Sequence, residues 1–312
     1  MIATLSSRSR LLGAALLLAS ASPACNFNKI AADQTASLMN DAAPALDGFF
    51  DLEIAGVGTQ AAIMQLEAMH SVSPENEDLT LNLVKAYVGH AVGWVENEYE
   101  VAYAAGDMDK ADRLRQRARN LYLRARTLAL GCMHHRDEGI DAAIKAPSPD
   151  VLKQYVKKHY SEKSDVAPIF WAGLSWGGAI NMGMDQPDLI AEAPLAKVLV
   201  ERAKELDDSY LNGGAYVFLG SMESAMPPAM GGNPERGREL FEQGLAKTGR
   251  KNHVMQVNYA RIYAVNTQNR ELFIKLLNEV IEAPDQGNGV RLTNKVARRR
   301  AERYLRQVSE LF

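Results

Sequence analysis

A pattern of small and large residues recurs three times in this chain at helical spacing. It reads small-x3-large-x2-small, and its copies are Ala118/Tyr122/Ala125, Ala196/Val200/Ala203 and Gly237/Phe241/Gly244. Residues three and four positions apart share one face of a helix, so each copy places a large side chain between two small ones. Small residues let a neighbouring helix approach closely, while the large one fills the groove between the two helices. The pattern therefore predicts a stack of closely packed helix pairs.

This pattern is typical of the second helix of a tetratricopeptide repeat (TPR). The copies are spaced irregularly, because Ala196 and Gly237 lie 41 residues apart, against about 34 in a regular repeat. We therefore expect three or four degenerate repeats in an all-α solenoid or bundle, with helices at both ends that do not repeat. Stacks of this kind usually bind a partner and rarely catalyse a reaction, which favours an adaptor or carrier over an enzyme.

Helical periodicity of apolar residues covers nearly all of the chain after residue 24, and alternating apolar segments typical of strands are absent. Clear examples are the segments 81–88, 114–130, 198–206 and 272–281. Ser148 before Pro149 and Asn233 before Pro234 predict helix starts, since each pairs a capping side chain with a proline suited to the first helical position. Gly56 and Gly58 interrupt the expected helix near residue 57. No long polar linker divides residues 25–312, which we predict to be one all-helical domain.

Residues 1–24 have the features of a secretory signal peptide. Arg8 and Arg10 precede a short apolar run, and small residues follow up to Ala24. Cys25 comes directly after this zone, which predicts a bacterial lipoprotein acylated at Cys25; ordinary cleavage near Ala24 is the alternative. Asn26 follows in place of an aspartate that would signal inner-membrane retention. We therefore expect a periplasmic protein held at the outer membrane by its N-terminal lipid.

The charge balance excludes some partners. The chain has a formal net charge of −3, and a slightly acidic chain lacks the basic footprint of a nucleic-acid-binding protein. A basic run lies on the last predicted helix, and we expect it to be a solvated face: Lys295, Arg298, Arg299, Arg300, Arg303 and Arg306.

No cofactor or metal site is predicted. His134 and His135 are adjacent on a predicted helix and point about 100° apart, so they cannot chelate one ion together. We interpret them as part of a solvated helix end. The thiol of Cys132 lies in an apolar context, and we expect it to be buried and inert.

The sequence Gly173-Leu-Ser175-Trp-Gly177 matches the G-x-S-x-G nucleophile elbow of serine hydrolases. That motif requires a strand before the serine and a strained turn at it. Here residues 170–182 have the pattern of one continuous helix. We therefore expect Ser175 to be a small packing residue and predict no catalytic residue; a hydrolase centred on Ser175 is a third alternative, which a strand leading into the serine would support.

Aromatic residues near this predicted helix are the candidates for ligand binding. Large rings interleaved with small residues can form an apolar pocket between helices, or they can form a packed core. The candidates are Phe170, Trp171, Trp176, Tyr216 and Phe218.

Several segments resemble a known family, the T-component of TRAP transporters (TAtT). They are residues 170–180, 213–220, 231–241, 269–273 and the ending Leu311-Phe312. The resemblance is specific from about Asn76 to Phe312 and weaker over residues 26–70. The signal peptide followed by Cys25 agrees with it, because family members are periplasmic lipoproteins.

The resemblance implies properties that residue spacing does not. It implies an all-α fold of degenerate TPRs, homotrimers, and a pore or cleft through each protomer. It implies pairing with the periplasmic substrate-binding protein of a TRAP system and a hydrophobic ligand, such as a fatty acid or another organic acid. The alternative, from a different class, is a scaffold lipoprotein of the cell envelope that holds no small molecule.

Overall fold

The computed structural model describes residues 25–225, 232–287 and 289–312. These residues form helices, turns and loops but no strand, which confirms the predicted all-α class. The predicted signal peptide lies outside them. The α-helices are α1 (Cys25–Asp47), α2 (Leu52–Val72), α3 (Glu77–His90), α4 (Glu96–Ala104), α5 (Met108–Arg136), α6 (Ile140–Ile144), α7 (Pro149–His159), α8 (Val166–Asn181), α9 (Pro187–Ala191), α10 (Ala193–Leu206), α11 (Tyr210–Ala225), α12 (Pro234–Thr248), α13 (His253–Asn258), α14 (Arg270–Glu282), α15 (Arg291–Arg306) and α16 (Val308–Leu311).

Three further segments complete the helical elements. The π-helix Ala91–Val95 joins α3 to α4, and the π-helix Tyr259–Ala264 extends α13. A 3-10 turn, Lys163–Asp165, leads into α8.

The helices pack as successive pairs. Helices α3 and α4 pack on α5, α8 packs on α10, α11 packs on α12, and α13 with its π-helical extension packs on α14. Neighbouring pairs also contact each other, since α5 packs on α8 and α10 on α11. The arrangement is a helical repeat, as the recurring pattern predicts. The assignment of these pairs to the TPR class stays a prediction.

The recurring small and large residues form contacts between these helices. All nine of them are buried. Each large residue occupies space that a glycine leaves on a facing helix; a Cβ atom at Gly178, for example, would lie 2.5 Å from the Tyr122 ring. The facing pairs are Tyr122 on Gly178, Val200 on Gly173 and Phe241 on Gly220. The pattern was therefore correctly interpreted as a signature of close helix packing.

The two predicted helix starts are confirmed. The Asn233 side chain accepts a hydrogen bond of 3.0 Å from the backbone N–H of Arg236, and α12 begins at Pro234. The Ser148 side chain accepts one of 3.2 Å from the backbone N–H of Asp150, and α7 begins at Pro149. Both caps satisfy backbone donors that the first helical turn leaves unpaired.

The predicted helix interruption at Gly56 and Gly58 was wrong. Helix α2 runs without a break from Leu52 to Val72. Gly56 is buried because the indole of Trp94 packs directly on it, and a Cβ atom at this position would lie 2.5 Å from Trp94 Nε1. The glycine permits close approach of another element and does not end the helix.

Helix α15 links the last helix pair, α13 and α14, back to the N-terminal helices. It packs on α13 and α14, and it also contacts α1 and α2. Arg291 Nη1 donates a 2.9 Å hydrogen bond to the carbonyl of Gly48, and Arg300 Nη2 donates one of 2.8 Å to the carbonyl of Val92 in the first π-helix. The helix pairs therefore form a closed circuit of contacts. We call the contact between α15 and the segment 91–104 the seam.

The basic run on α15 is not the solvated face that we predicted. Arg299, Arg300 and Arg303 all reach across the seam, whereas Arg298 and Arg306 are exposed. The partners of the three buried or half-buried arginines are backbone carbonyls of the first π-helix and side chains of α4. The prediction was wrong for these three because helical periodicity does not identify a partner that lies about 200 residues away.

Candidate functional site

The five aromatic candidates lie on α8 and α11, but they do not converge on a single point. Phe170 and Trp171 face Tyr210 at the start of α11. The ring centroids of Phe170 and Tyr210 are 5.3 Å apart in an edge-on arrangement, and Trp171 Nε1 donates a 3.0 Å hydrogen bond to the Tyr210 hydroxyl. Phe170 is 1% and Trp171 6% exposed. These three rings form one compact aromatic cluster at the corner between the two helices.

The backbone at this corner turns through the left-handed region. Leu211, Asn212 and Gly213 have φ angles of 49°, 51° and 77°. Left-handed conformations are costly for residues with a Cβ atom, so surrounding contacts must hold this turn. One of them is the 2.8 Å hydrogen bond from Asn252 Nδ2 to the carbonyl of Asn212. The turn places Tyr210 against Phe170, and the regular part of α11 begins directly after it.

Trp176 points to a different, polar environment. Its Nε1 donates a 2.7 Å hydrogen bond to Glu192, and Arg126 forms a 2.8 Å ion pair with the same carboxylate. The Arg126 guanidinium also lies 5.0 Å from the centroid of the indole. Trp176 is thus fixed by a cation–π contact from α5 and by a hydrogen bond to the residue that follows α9.

Tyr216 and Phe218 have different surroundings on α11. The Tyr216 hydroxyl donates a 3.0 Å hydrogen bond to Asp208, and Lys204 Nζ lies 4.6 Å from the centroid of its ring. Burial, together with Asp208, raises the pKa of Tyr216 above its usual value. Phe218 is half-buried and its ring covers Gly177 of α8. Of the five candidates, Phe218 alone retains substantial exposure.

Ser175 lies in the middle of α8 and not at a turn after a strand. It is fully buried, and its hydroxyl donates a 2.6 Å hydrogen bond to the carbonyl of Trp171 within the same helix. The G-x-S-x-G sequence therefore does not form a nucleophile elbow here. The small residues around it permit close packing instead, since rings or side chains of neighbouring helices occupy the space beside Gly173, Gly177 and Gly178.

A groove at the seam is a second candidate site, and the sequence interpretation missed it. It has a volume of about 210 Å³ and lies between α2, the first π-helix, α4 and α15. Trp94 Nε1 donates a 3.0 Å hydrogen bond to the carbonyl of Leu52, and His90 stacks on the indole with 5.9 Å between ring centroids. Its lining residues are Leu52, Glu53, Gly56, Val57, Gln60, Trp94, Glu98 and Arg299.

Helices α1 and α2 also present an apolar surface to solvent. A shallow groove of about 390 Å³ runs between them, lined mainly by alanines, Met69 and Val72. On α2 and the residues just before it, several apolar side chains are strongly exposed: Phe50 65%, Ile54 58%, Val57 70% and Met64 76%. We call these four residues the α2 apolar stripe.

Cys132 is a buried free thiol, as predicted. It is 3% exposed, and burial raises its pKa to about 12. His134 Nδ1 lies 3.1 Å from Asp141, and among the described residues no three His, Cys, Asp or Glu side chains are arranged to hold a metal ion. In the part of the chain that the structure describes, no helix has the length and apolar character needed to cross a membrane.

The fold and these surfaces define an all-α helical-repeat protein with aromatic clusters between its helices. The family model of the TRAP transporter T-component (TAtT) matches residues 50–312, and the chain belongs to this family. The T-component is an accessory component of TRAP transport systems on their periplasmic side. The match begins at residue 50 and so extends further toward the N-terminus than the segments that suggested the resemblance.

A curated protein of another organism is similar to this chain. The chain is 22% identical over 234 residues to an uncharacterized protein of Treponema pallidum (strain Nichols). The aligned part covers 74% of this chain and 71% of that protein.

Proposed function

We propose that this protein is a lipid-anchored, periplasmic T-component that binds the substrate-binding protein of a TRAP uptake system and relays a hydrophobic organic acid, such as a fatty acid. Residues 1–24 would be the signal peptide, and residues 25–312 one domain of degenerate TPRs anchored at the outer membrane through acylated Cys25. The family match over residues 50–312 is the observation that carries the proposal. The mechanism is binding and transfer, with no bond chemistry.

The α2 apolar stripe supports assembly of several copies. Exposed apolar patches on soluble proteins mark interaction surfaces, because leaving such area in water is unfavourable. Within Leu52–Val72, Glu53 and Glu67 are the only residues of the types Asp, Glu, Lys and Arg. We propose that this face joins copies of the chain in a homotrimer, leaving other surfaces free for the substrate-binding protein.

The aromatic cluster at α8 and α11 supports a hydrophobic ligand site. Phe170, Trp171 and Tyr210 provide rings that a fatty acyl chain could contact, and Phe218 of α11 adds a half-buried ring. Because Phe218 covers Gly177, entry of a ligand at this place requires movement of the Phe218 ring. Aromatic–aliphatic contact in such a site would dominate the binding free energy.

The alternative is an envelope scaffold that holds no small molecule. The close packing of side chains beside Gly173, Gly177 and Gly178 favours this alternative, since it fills space that a preformed cavity would occupy.

Titration with fatty acids distinguishes the carrier from the scaffold. In a Trp94→Phe variant, the remaining indoles are Trp171 and Trp176. A saturable change in their fluorescence supports the carrier, whereas an unchanged spectrum supports the scaffold.

Binding of the substrate-binding protein is the decisive experiment. The mature protein without its lipid is mixed with the TRAP substrate-binding protein from the same cell, and the complex is measured by calorimetry and light scattering. We expect a defined complex and an oligomer of this chain. Met64→Glu, on the α2 apolar stripe, should dissociate the oligomer, while Met184→Glu is the matched control at another exposed methionine (61% exposed). Absence of any complex with the substrate-binding protein would contradict the proposed role.

A further inference from the structure

Exposed large apolar side chains are concentrated near the N-terminal end of the described chain. Among the described residues fifteen such side chains are strongly exposed, and nine of them lie between Phe27 and Val72. Four of the nine belong to α1: Phe27 (74% exposed), Ile30 (50%), Leu38 (66%) and Leu46 (56%). We call these four residues the α1 outer face. Because leaving so much apolar area in water is unfavourable, the concentration indicates that another surface covers this helix.

The α1 outer face points away from the rest of the protein. Residues eleven positions apart return to nearly the same side of a helix, so Phe27 and Leu38 point the same way. Ile30 and Leu46 are each eight positions from Leu38 and lie about 80° to either side of it. Ala36 is on the opposite side of α1 and is buried in the core. The four side chains therefore form one broad apolar strip along the helix.

The charged groups in the first part of α1 are turned inward. Lys29 Nζ donates a 2.9 Å hydrogen bond to Asp33. The Asp33 carboxylate also accepts hydrogen bonds of 2.7 Å from Ser73 and 2.6 Å from Asn76, both in the connection between α2 and α3. Lys29 and Asp33 are the charged residues of the segment 25–40. Over this segment the outward side of α1 therefore carries no charged group.

The position of Cys25 indicates what covers the α1 outer face. In the proposed function Cys25 carries the lipid anchor, and Cys25 is also the first residue of α1. A helix that begins at the anchored residue is held at the membrane surface without a flexible linker between them. At about 1.5 Å per residue, Leu38 lies about 20 Å along the helix from Cys25. The family match begins at residue 50, so α1 lies outside it.

We propose that α1 lies flat on the membrane that holds the anchor, with its outer face at the boundary between lipid headgroups and acyl chains. This inference rests on the proposed acylation of Cys25 and adds a contact made by the protein itself. An amphipathic helix binds the membrane interface through its apolar side, in addition to any acyl chains. Asp41 is exposed beside the outer face, so the contact does not depend on anionic lipids. The α2 apolar stripe belongs to the other helix and stays available for the assembly of copies.

A labelled chain tethered to vesicles tests the proposal. The mature chain with Cys25→Ser carries a hexahistidine tag directly before residue 25 and binds phosphatidylcholine vesicles that contain a nickel-chelating lipid. A fluorophore is attached at Leu38→Cys, and Met184→Cys is the matched control because Met184 is similarly exposed (61%). Cys132 is buried and does not compete for the label. We expect nitroxide-bearing lipids to quench the label at position 38 several times more strongly than the label at 184, and dissolved iodide to quench it less.

A charge on the α1 outer face provides a second variant. Phe27→Glu, introduced into the Leu38→Cys chain, lies about three turns from the label on the same side of the helix. We expect the quenching by nitroxide-bearing lipids to fall at least about threefold, because the glutamate must leave the apolar boundary. Met184→Glu in the same chain should leave the quenching unchanged. Both Phe27 and Met184 are exposed, so thermal melting should be the same for the two variants.

Four results would overturn the proposal. The first is equal quenching of the labels at 38 and 184 by the lipids, and the second is an equal effect of Phe27→Glu and Met184→Glu. The third is protection of the label at 38 from iodide before vesicles are added, since a second copy would then cover the outer face. The fourth is loss of lipid contact at high salt, because an apolar contact is not screened. Mass spectrometry of the native protein reports separately whether Cys25 is acylated; a missing lipid would contradict the proposed anchor, while the tethered chain still decides whether α1 contacts lipid.

Discussion

Arg300 and Glu96 form a 2.8 Å ion pair although 204 positions separate them in the chain. Their side chains are 11% and 10% exposed. The other carboxylate oxygen of Glu96 accepts a hydrogen bond from the hydroxyl of Tyr122, the large residue of the first pattern copy. The ion pair therefore connects the C-terminal helix α15 to both α4 and α5, and it joins the repeat packing to the seam.

We predict that Arg300→Met destabilises the protein by about 3 kcal/mol, because it leaves the Glu96 carboxylate buried without its counter-ion. Urea unfolding followed by circular dichroism measures the change. The double variant Glu96→Gln with Arg300→Met should recover part of the loss, since it removes the uncompensated charge. Arg298→Met, at an exposed i,i+4 pair with Glu302, should change the free energy of unfolding by less than about 1 kcal/mol. A similar loss at both arginines would argue against a special role for the seam.

Two glycines provide a matched pair of substitutions with opposite expected signs. Gly178→Ala would place its Cβ atom 2.5 Å from the buried ring of Tyr122, so we expect a loss of about 1–3 kcal/mol from overpacking. Gly131 lies within α5, and a Cβ atom added there would meet no heavy atom of a neighbouring element within 4 Å. Gly131→Ala should therefore stabilise the protein by up to about 1 kcal/mol through helix propensity. Chemical unfolding of both variants measures the difference, and equal effects would contradict the proposed packing.

We predict that Cys132 is unreactive in the native protein and contributes to the pH dependence of stability. Its pKa is raised by burial from 9.0 to about 12. Because the folded value lies above the unfolded one, this contribution is fully present below about pH 9 and is lost as the pH rises toward about 12. In a Cys25→Ser background, a thiol reagent at about pH 8 should label Cys132 only after unfolding. Cys132→Ala should show a shallower fall in stability between about pH 9 and pH 11; an identical profile would show that Cys132 does not contribute.

We predict that Ser175→Ala retains the fold and the binding of the substrate-binding protein. The change removes one hydroxyl that is bonded to the Trp171 carbonyl, so the loss of stability should stay near about 1 kcal/mol. Esterase activity on a chromogenic ester is measured alongside thermal melting and partner binding. A hydrolase activity present in the wild type and absent from the variant would restore a catalytic role for Ser175.

We predict that Cys25 carries the lipid anchor. One acyl chain gives only marginal membrane attachment, so stable anchoring requires more than one chain on the N-terminal cysteine. Cells are labelled with an alkyne-tagged fatty acid, and the wild type is compared with Cys25→Ser. We expect label and membrane fraction to be lost together in the variant. Equal labelling of the two proteins would exclude acylation at this position.

The locally encoded features of the fold were predictable from the sequence. The spacing of Tyr122, Val200 and Phe241 between small residues identified the packing faces, and Asn233 and Ser148 identified helix starts. Such signals depend on residues within one helix or one turn. The prediction at Gly56 was wrong for the same reason. The residue that packs on this glycine, Trp94, belongs to another element, so the local sequence does not reveal the contact.

The seam and its groove could not be predicted in this way. Arg299 and Arg300 are adjacent in sequence and alike in chemistry, yet of these two only Arg300 meets a carboxylate among the described residues. Their partners lie more than 200 positions away, and helical periodicity contains no information about which distant helices meet. The five aromatic candidates were placed on the correct helices, but the directions in which Trp176 and Tyr216 point depend on charged neighbours from other elements.

The contact of α15 with the first π-helix and α4 also restricts how this architecture can change in evolution. An open stack of repeats gains or loses a unit at either end with little effect on the rest, because each unit contacts only its neighbours. Here an added or deleted pair would rotate and translate α15 away from Val92 and Glu96, and the arginines would lose their acceptors. We therefore expect relatives to keep the same number of helix pairs and to differ in length in the connecting loops and at the termini.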